Sequence, residues 1–326
     1  MKSKSVPTSK SLPIRVGITF GDPAGIGPEI IVKAINKLKD LAYFVVIGDK
    51  WVLDKIPNSK FQIINYKFID LNNVRHKNFA FGKIKAAYGQ ASLEYIDYAL
   101  KLIKNKQIDC LVTCPISKES IKLAGFSFPG HTEYLAKQFK VKDFAMMLLN
   151  EKLRFVLITR HIPLSQVSLA LNKNEIFKTI ILTHNSLKEL FLIKNPRLIV
   201  CGLNPHASDN GIIGTEENTI IKPVLNYLKG KNIKIEGPFA SDVAITKAMA
   251  ENYDCIIAFY HDQALIPLKL LDSSSGVNLT LGLPFVRTSP LHGTAFDIAG
   301  KNLASADSLV CAIKLAIRCA LNQRRV

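Results

Sequence analysis

The stretch IRVGITFGDPAGIGPEIIVKAINKL, residues 14–38, decides how the rest of the chain is read. Residues 14–20 are mostly apolar and β-branched, as in a strand buried on both faces. A turn of Gly, Asp and Pro follows from Gly21, and Pro28 suits a first helical turn. Ile30, Ile31, Ala34, Ile35 and Leu38 then recur at helical spacing and share one face. This strand–turn–helix unit repeats along the chain. Further strands are expected at 43–48, 61–66, 109–115, 144–149, 155–159, 197–202, 233–238 and 255–260. Helical patterns run through Leu93, Ile96, Leu100 and Ile103, through 175–192, and through 216–228. The last helix is expected to start near Ser305 or Asp307, acting as N-caps, and carries Leu309, Val310, Ile313, Ala316, Ile317 and Leu321. The alternation predicts an α/β fold with mainly parallel sheets.

The 326 residues suffice for about two domains, at roughly 150 residues each. No Pro/Gly-rich linker, internal repeat or low-complexity tract separates them, so the domains are expected to interlock. No apolar run approaches the ~18 residues needed to span a bilayer. Residues 1–13 are polar, with Lys2, Lys4 and Lys10, and lack the apolar core of a secretory signal, so they read as a loose leader. The six cysteines form no CxxC pair and lie mostly in apolar segments, which predicts buried free thiols in a reducing cytosol. The net charge is +17, but the lysines are scattered and form no basic block interleaved with aromatics. A solvated surface that draws in an anionic substrate is expected, not a nucleic-acid or membrane partner.

Several motifs carry chemistry. GDPAGIGPE at 21–29 departs from the Rossmann fingerprint, because Ile30 stands where a third glycine belongs; it reads either as a tight structural turn or as a ligand loop. His161, His206 and His261 each follow an apolar strand. Ligands of open parallel sheets bind beyond the carboxyl ends of strands, so these imidazoles either hold a divalent metal or are ordinary histidines at loop starts. GHTE at 130–133 opens a helix-like run, where His131 and Thr132 make an anion site or Thr132 is simply a cap. Lys269, Asn278 and Arg287 spread over a segment whose arginine lies among apolar residues and needs an anionic partner; a substrate phosphate would serve. HGTAFDIAG at 292–300 reads, by its chemistry alone, as a loop entering the last helix.

Taken together, GDPAGIGPE, PISKE (115–119), GHTEYLA (130–136), CGLNPHA (201–207), YHDQ (260–263) and GVNLTLGLPFVRTSP (276–290) resemble the 4-hydroxythreonine-4-phosphate dehydrogenase family over nearly the whole chain. HGTAFDIAGKN (292–302) is also similar to the nicotinamide-cofactor segment of isocitrate and isopropylmalate dehydrogenases, with Phe296 where those have Pro. The resemblance implies two interlocked α/β domains like those of the latter enzymes, 1–128 plus 288–326 and 129–287. It implies His161, His206 and His261 as ligands of one divalent ion (zinc, magnesium or cobalt). It also implies substrate binding by His131, Thr132, Lys269, Asn278 and Arg287, and NAD or NADP binding by His292, Gly293, Ala295 and Asp297. A cytoplasmic homodimer is implied, with His161 and His206 of one chain meeting His261 of the other at the interface. The expected reaction is oxidation of 4-phosphooxy-threonine to a β-keto acid that loses CO₂. Asp242 is the candidate proton acceptor, with Lys118 behind it; the other reading of Asp242 is a helix N-cap. Competing readings are a paralogue acting on another phosphorylated hydroxy acid such as phosphothreonate, a non-redox metal enzyme, and a nucleic-acid-binding protein.

Overall fold

The computed structural model describes residues 13–127 and 130–325; Phe128, Pro129, Val326 and all of the polar leader except Pro13 lie outside the described residues. The strands are β1 (Arg15–Thr19), β2 (Tyr43–Gly48), β3 (Tyr66–Asp70), β4 (Cys110–Thr113), β5 (Ala145–Leu149), β6 (Arg154–Leu157), β7 (Arg197–Cys201), β8 (Lys234–Phe239), β9 (Cys255–Ala258), β10 (Val277–Leu281) and β11 (Val286–Pro290). The helices are α1 (Gly27–Lys37), α2 (Ala86–Lys104), α3 (Lys118–Leu123), α4 (His131–Gln138), α5 (Val167–Ala170), α6 (Lys173–Phe191), α7 (Lys222–Gly230), α8 (Ser241–Ala250), α9 (His261–Leu271) and α10 (Asp307–Gln323).

The strands form one continuous, mostly parallel sheet in the order β3-β2-β1-β4-β11-β10-β5-β6-β9-β7-β8, as expected of an α/β fold. β3, β2, β1 and β4 make one parallel wing, and β11 borders it, parallel to β4. β6, β9, β7 and β8 make another. β10 pairs antiparallel with β11 and β5, and β5 with β6, so three reversals leave the wings running in opposite directions. The expected domain boundary at 287/288 falls inside β11.

Wing strands are buried on successive residues. Val16, Ile18, Phe44, Val46, Phe155, Val156 and Leu157 are all fully shielded, which requires cover on both faces. One face of the second wing packs Phe155, Leu157, Ile199 and Ile256 against Ala244 and Ala248 of α8 and Ala264 and Leu268 of α9. The other face joins the large core shared with the first wing.

Four local expectations change. β3 begins at Tyr66, where the 61–66 segment was expected to end, because its register is set by pairing with β2, Phe44 opposite Tyr66. β10 and β11 were not expected as strands. The 216–228 helix begins with a π-turn over Glu217–Ile221. The last helix is capped by Ala306, with Ser305 Oγ accepting from Asp307 N at 3.2 Å, so neither Ser305 nor Asp307 is its N-cap.

The cysteines are free thiols, five of them buried, and burial raises their pKa, that of Cys201 to about 12. No described helix is long and apolar enough to cross a membrane.

Candidate active site

Along a strand, side chains alternate between faces. Register places Leu148, Asn278 and Ser289 side by side across β5, β10 and β11, and Met146, Thr280 and Arg287 in the next row on the same face. These rows floor a cavity of about 220 Å³. Its walls are Lys118 of α3, the first turn of α4 (His131, Thr132, Glu133), His161, His261 and the segment Pro290–Gly293.

Arg287 is 1% exposed. Its Nη1 donates to Thr280 Oγ1 at 3.1 Å and its Nη2 to Thr113 Oγ1 at 2.5 Å, while Nε has no acceptor. No carboxylate pairs with it among the described residues. Burial pulls its pKa down to about 9, against the opposing charge of Glu133. His131 Nε2, Glu133 Oε2, Asn278 Oδ1 and His292 Nε2 are likewise buried without partners. Buried polar atoms are nearly always satisfied, so five orphans around one cavity point to a polar ligand, with Arg287 calling for an anionic group and Glu133 Oε2 and Asn278 Oδ1 for donors. His131 stays neutral: burial first, then the charge of Arg287, lowers its pKa well below the usual value.

His161 lies just beyond β6 and His261 opens α9, with ring centroids 5.7 Å apart. Nδ1 of His261 lies 2.6 Å from Asp262 Oδ1, so as donor it leaves Nε2 facing away as a free donor atom. Burial, then Lys118, lowers the pKa of His161 and keeps it neutral, the form that binds metals. His206 does not join them. It sits exposed after β7, first in a run of left-handed residues, His206 to Asn210, with φ between 44° and 70°. Among the described residues, no group of three or more His, Cys, Asp or Glu is placed to hold a metal ion. Within one chain the close pair is therefore His161 with His261, not His161 with His206.

A family model described as "Pyridoxal phosphate biosynthetic protein PdxA" matches residues 33–316. The chain belongs to the PdxA family. It is 43% identical to a 4-hydroxythreonine-4-phosphate dehydrogenase of Sulfurihydrogenibium sp. (strain YO3AOP1), over 93% of this chain and 98% of that one. It is 36% identical to a protein of Oceanobacillus iheyensis provisionally named a D-threonate 4-phosphate dehydrogenase, over 94% and 97%. The crystal structure of a 4-hydroxythreonine-4-phosphate dehydrogenase from Klebsiella pneumoniae superposes with a TM-score of 0.83 at 36% identity, covering 96% of this chain and 99% of that one.

The remaining expected residues of this PdxA-family chain divide by location. Thr132 is buried in the wall, and Gly130 occupies the N-cap position, so Thr132 is not a cap. His292 and Gly293 line the cavity; Ala295 and Asp297 lie further along the same loop, outside the lining. Lys269 is exposed on α9 and lines no part of the cavity. Asp242 is exposed in the first turn of α8, whose N-cap is Ala240, so it is neither a cap nor a wall residue; Lys118 is in the wall. The GDPAGIGPE segment is a structural turn. A Cβ on Gly21 would lie 2.2 Å from Pro115 O, and one on Gly27 1.9 Å from Phe20 O. Glu29 accepts from the backbone N–H groups of Gly300, Asn302 and Ala304, which fixes the loop after HGTAFDIAG. Glu133 and Ser289 were not expected in the site; Glu133 stood inside the GHTE motif, and Ser289 lies two residues from Arg287 and so on its face.

Proposed function

We propose that this chain is a metal-dependent, NAD- or NADP-linked dehydrogenase that oxidises 4-phosphooxy-threonine (4-hydroxythreonine 4-phosphate) in pyridoxal phosphate (vitamin B6) biosynthesis. The observation that carries the reading is Arg287, a buried guanidinium without a carboxylate partner at the floor of the cavity. The phosphate binds Arg287, with Asn278, His131 and Thr132 completing its shell. Remote binding of this kind also aligns the reacting carbon.

The donor chemistry fits a divalent ion: two imidazoles face one cavity, one of them beside a carboxylate. His161 and His261 hold it, with His206 as third ligand, and when bound it polarises the substrate hydroxyl as a Lewis acid. The loop from His292 to Asp297 fits a nicotinamide cofactor: His292 Nε2 lacks a partner and Gly293 faces open space. His292, Gly293, Ala295 and Asp297 would hold NAD or NADP, which would supply the hydride acceptor. The carboxylate of Asp242, lent by a second chain, would take the hydroxyl proton, while Lys118, a cation in the cavity wall, stands by the developing alkoxide. The β-keto acid then loses CO₂, its C–C electrons passing to the ketone, to give 3-amino-2-oxopropyl phosphate.

The assembly is a cytoplasmic homodimer with its site at the subunit interface. His206, Lys269 and Asp242 lie outside their own cavity, near exposed Ile212, Val243, Ile266 and Leu270. α8 and α9 are tied by the 2.7 Å bond from Gln263 Nε2 to Ser241 Oγ. This apolar face suits a second copy that lends His206, Lys269 and Asp242 to the neighbouring cavity. The division differs from the one the family resemblance suggested, since His161 and His261 come from one chain. The relative named for D-threonate 4-phosphate supports a second reading, oxidation of phosphothreonate. The deciding assay is reduced-cofactor absorbance with each substrate after metal removal and add-back. No absorbance change with either substrate and any of the three metals would sink both readings.

A further inference from the structure

Glu133 is the only carboxylate among the described residues lining the cavity; its other ionisable wall groups are Lys118, Arg287 and histidines. It sits in the first turn of α4. Its Oε1 lies 3.3 Å from Arg160 Nε, and its Oε2 is buried with no hydrogen-bond partner. Such an oxygen is costly to keep buried until a donor reaches it. Its charge is felt at both ends of the cavity, by Arg287 and by His161. A ligand carrying only phosphate, carboxylate and hydroxyls would be repelled by this carboxylate. A ligand that also carries a cation would not be.

We propose that Glu133 binds the α-ammonium group of the substrate and selects phosphorylated hydroxy-amino acids over phosphorylated dihydroxy acids. This rests on the substrate reading above. The two candidate substrates differ only at C2, ammonium against hydroxyl. C2 adjoins the carbon that is oxidised, on the side away from the phosphate. That places the ammonium on the histidine side of the cavity, where Glu133 stands, paired with Arg160 next to His161 and felt by it. Rotation about the terminal torsion, soft in glutamate, turns Oε2 toward it.

The test compares kcat/KM for 4-phosphooxy-threonine and 4-phosphothreonate in the wild type, Glu133→Gln and Arg160→Met. The wild type should prefer the amino acid at least roughly tenfold, a readout that needs no variant. Glu133→Gln should lose about ten- to a hundredfold on the amino acid, mainly in KM, and little on the dihydroxy acid. Arg160→Met should keep the preference. An equal loss on both substrates, or none on the amino acid, overturns the proposal while the function stands. A wild-type preference for the dihydroxy acid overturns the proposal and the substrate reading together. If neither is oxidised, the function fails, and calorimetric binding of the two compounds still decides Glu133: it stands if the amino acid binds tighter to the wild type and Glu133→Gln erases the difference.

Discussion

The parallel wings and the antiparallel seam between them use the same sheet for different ends. In the inner strands of the wings both faces are covered, and successive residues such as Phe155 and Val156 are fully buried. In the seam one face is left open. Asn278, Ser289 and Arg287 stand there beside Met146 and Leu148 as the floor of a cavity. Wing residues hold the fold through burial, each side chain contributing about 1.5–3 kcal/mol. Seam residues such as Arg287 trade stability for binding: a guanidinium out of water with no counter-charge is retained at a cost to the empty protein.

The largest expected effect lies where the second wing meets the seam. Removing divalent metal should abolish turnover, and His261→Ala should do the same while leaving circular dichroism unchanged. The proposed sharing of ligands between two chains can be tested separately. Exchanging subunits between His206→Ala and His261→Ala should restore about a quarter of wild-type activity, since half the dimers are mixed and each has one intact site. Exchange between His161→Ala and His261→Ala should restore none, because both lesions fall on the same site-forming pair. Recovery in the second mixture would return the division to the one first expected.

Next comes the contrast itself. Ile18→Ala, in a wing, should cost about 2–5 kcal/mol in denaturant unfolding and leave substrate preference alone. Arg287→Met, in the seam, should do the reverse. kcat/KM for phosphorylated substrate should fall about ten- to a hundredfold. The ligand-free melting temperature should hold or rise. The folded pKa of Arg287 is drawn down to about 9, so its charge is disfavoured in the fold at every pH below that. A large drop in melting temperature would show that the guanidinium stabilises the empty seam.

The smallest effect is a pH slope. The folded pKa of His131 lies below its ordinary value. Its contribution to stability is therefore intact above about pH 6.5 and lost as pH falls, because the unfolded chain takes up a proton the fold resists. The wild-type melting temperature should fall more steeply from pH 7.5 to 5 than that of His131→Gln. Parallel curves would mean His131 is more open to water than its position indicates.

The same contrast explains what the sequence disclosed. Wing strands announce themselves by continuous apolar runs, as in FVVIG at 44–48, because both faces are buried. The seam strands β10 and β11 read VNLTL and VRTSP, with polar residues on alternate positions in the first and on three successive positions in the second. Neither is a continuous apolar run, and the period of two in β10 spans only five residues. Arg287 was legible because an arginine among apolar residues demands a partner. Lys269 and Asp242 were named with the other site residues, but what separates them from the cavity is three-dimensional: they lie on helix faces turned to solvent. The left-handed run from His206 had no signal, since only Asp209 and Asn210 among its residues favour that region.

Arg287 is an interior position of the protein and the floor of its cavity at once. Such dual use narrows the paths by which descendants of this chain can change substrate. A substitution there would disturb packing and, on the proposed function, phosphate recognition in a single step. Exposed Lys118 and Gly293 at the rim can be exchanged without touching the interior. Lineages diverging from this design would be expected to keep the phosphate handle and experiment with the opposite end of the molecule. The relatives named for 4-hydroxythreonine 4-phosphate and for D-threonate 4-phosphate differ in their named substrates in that way.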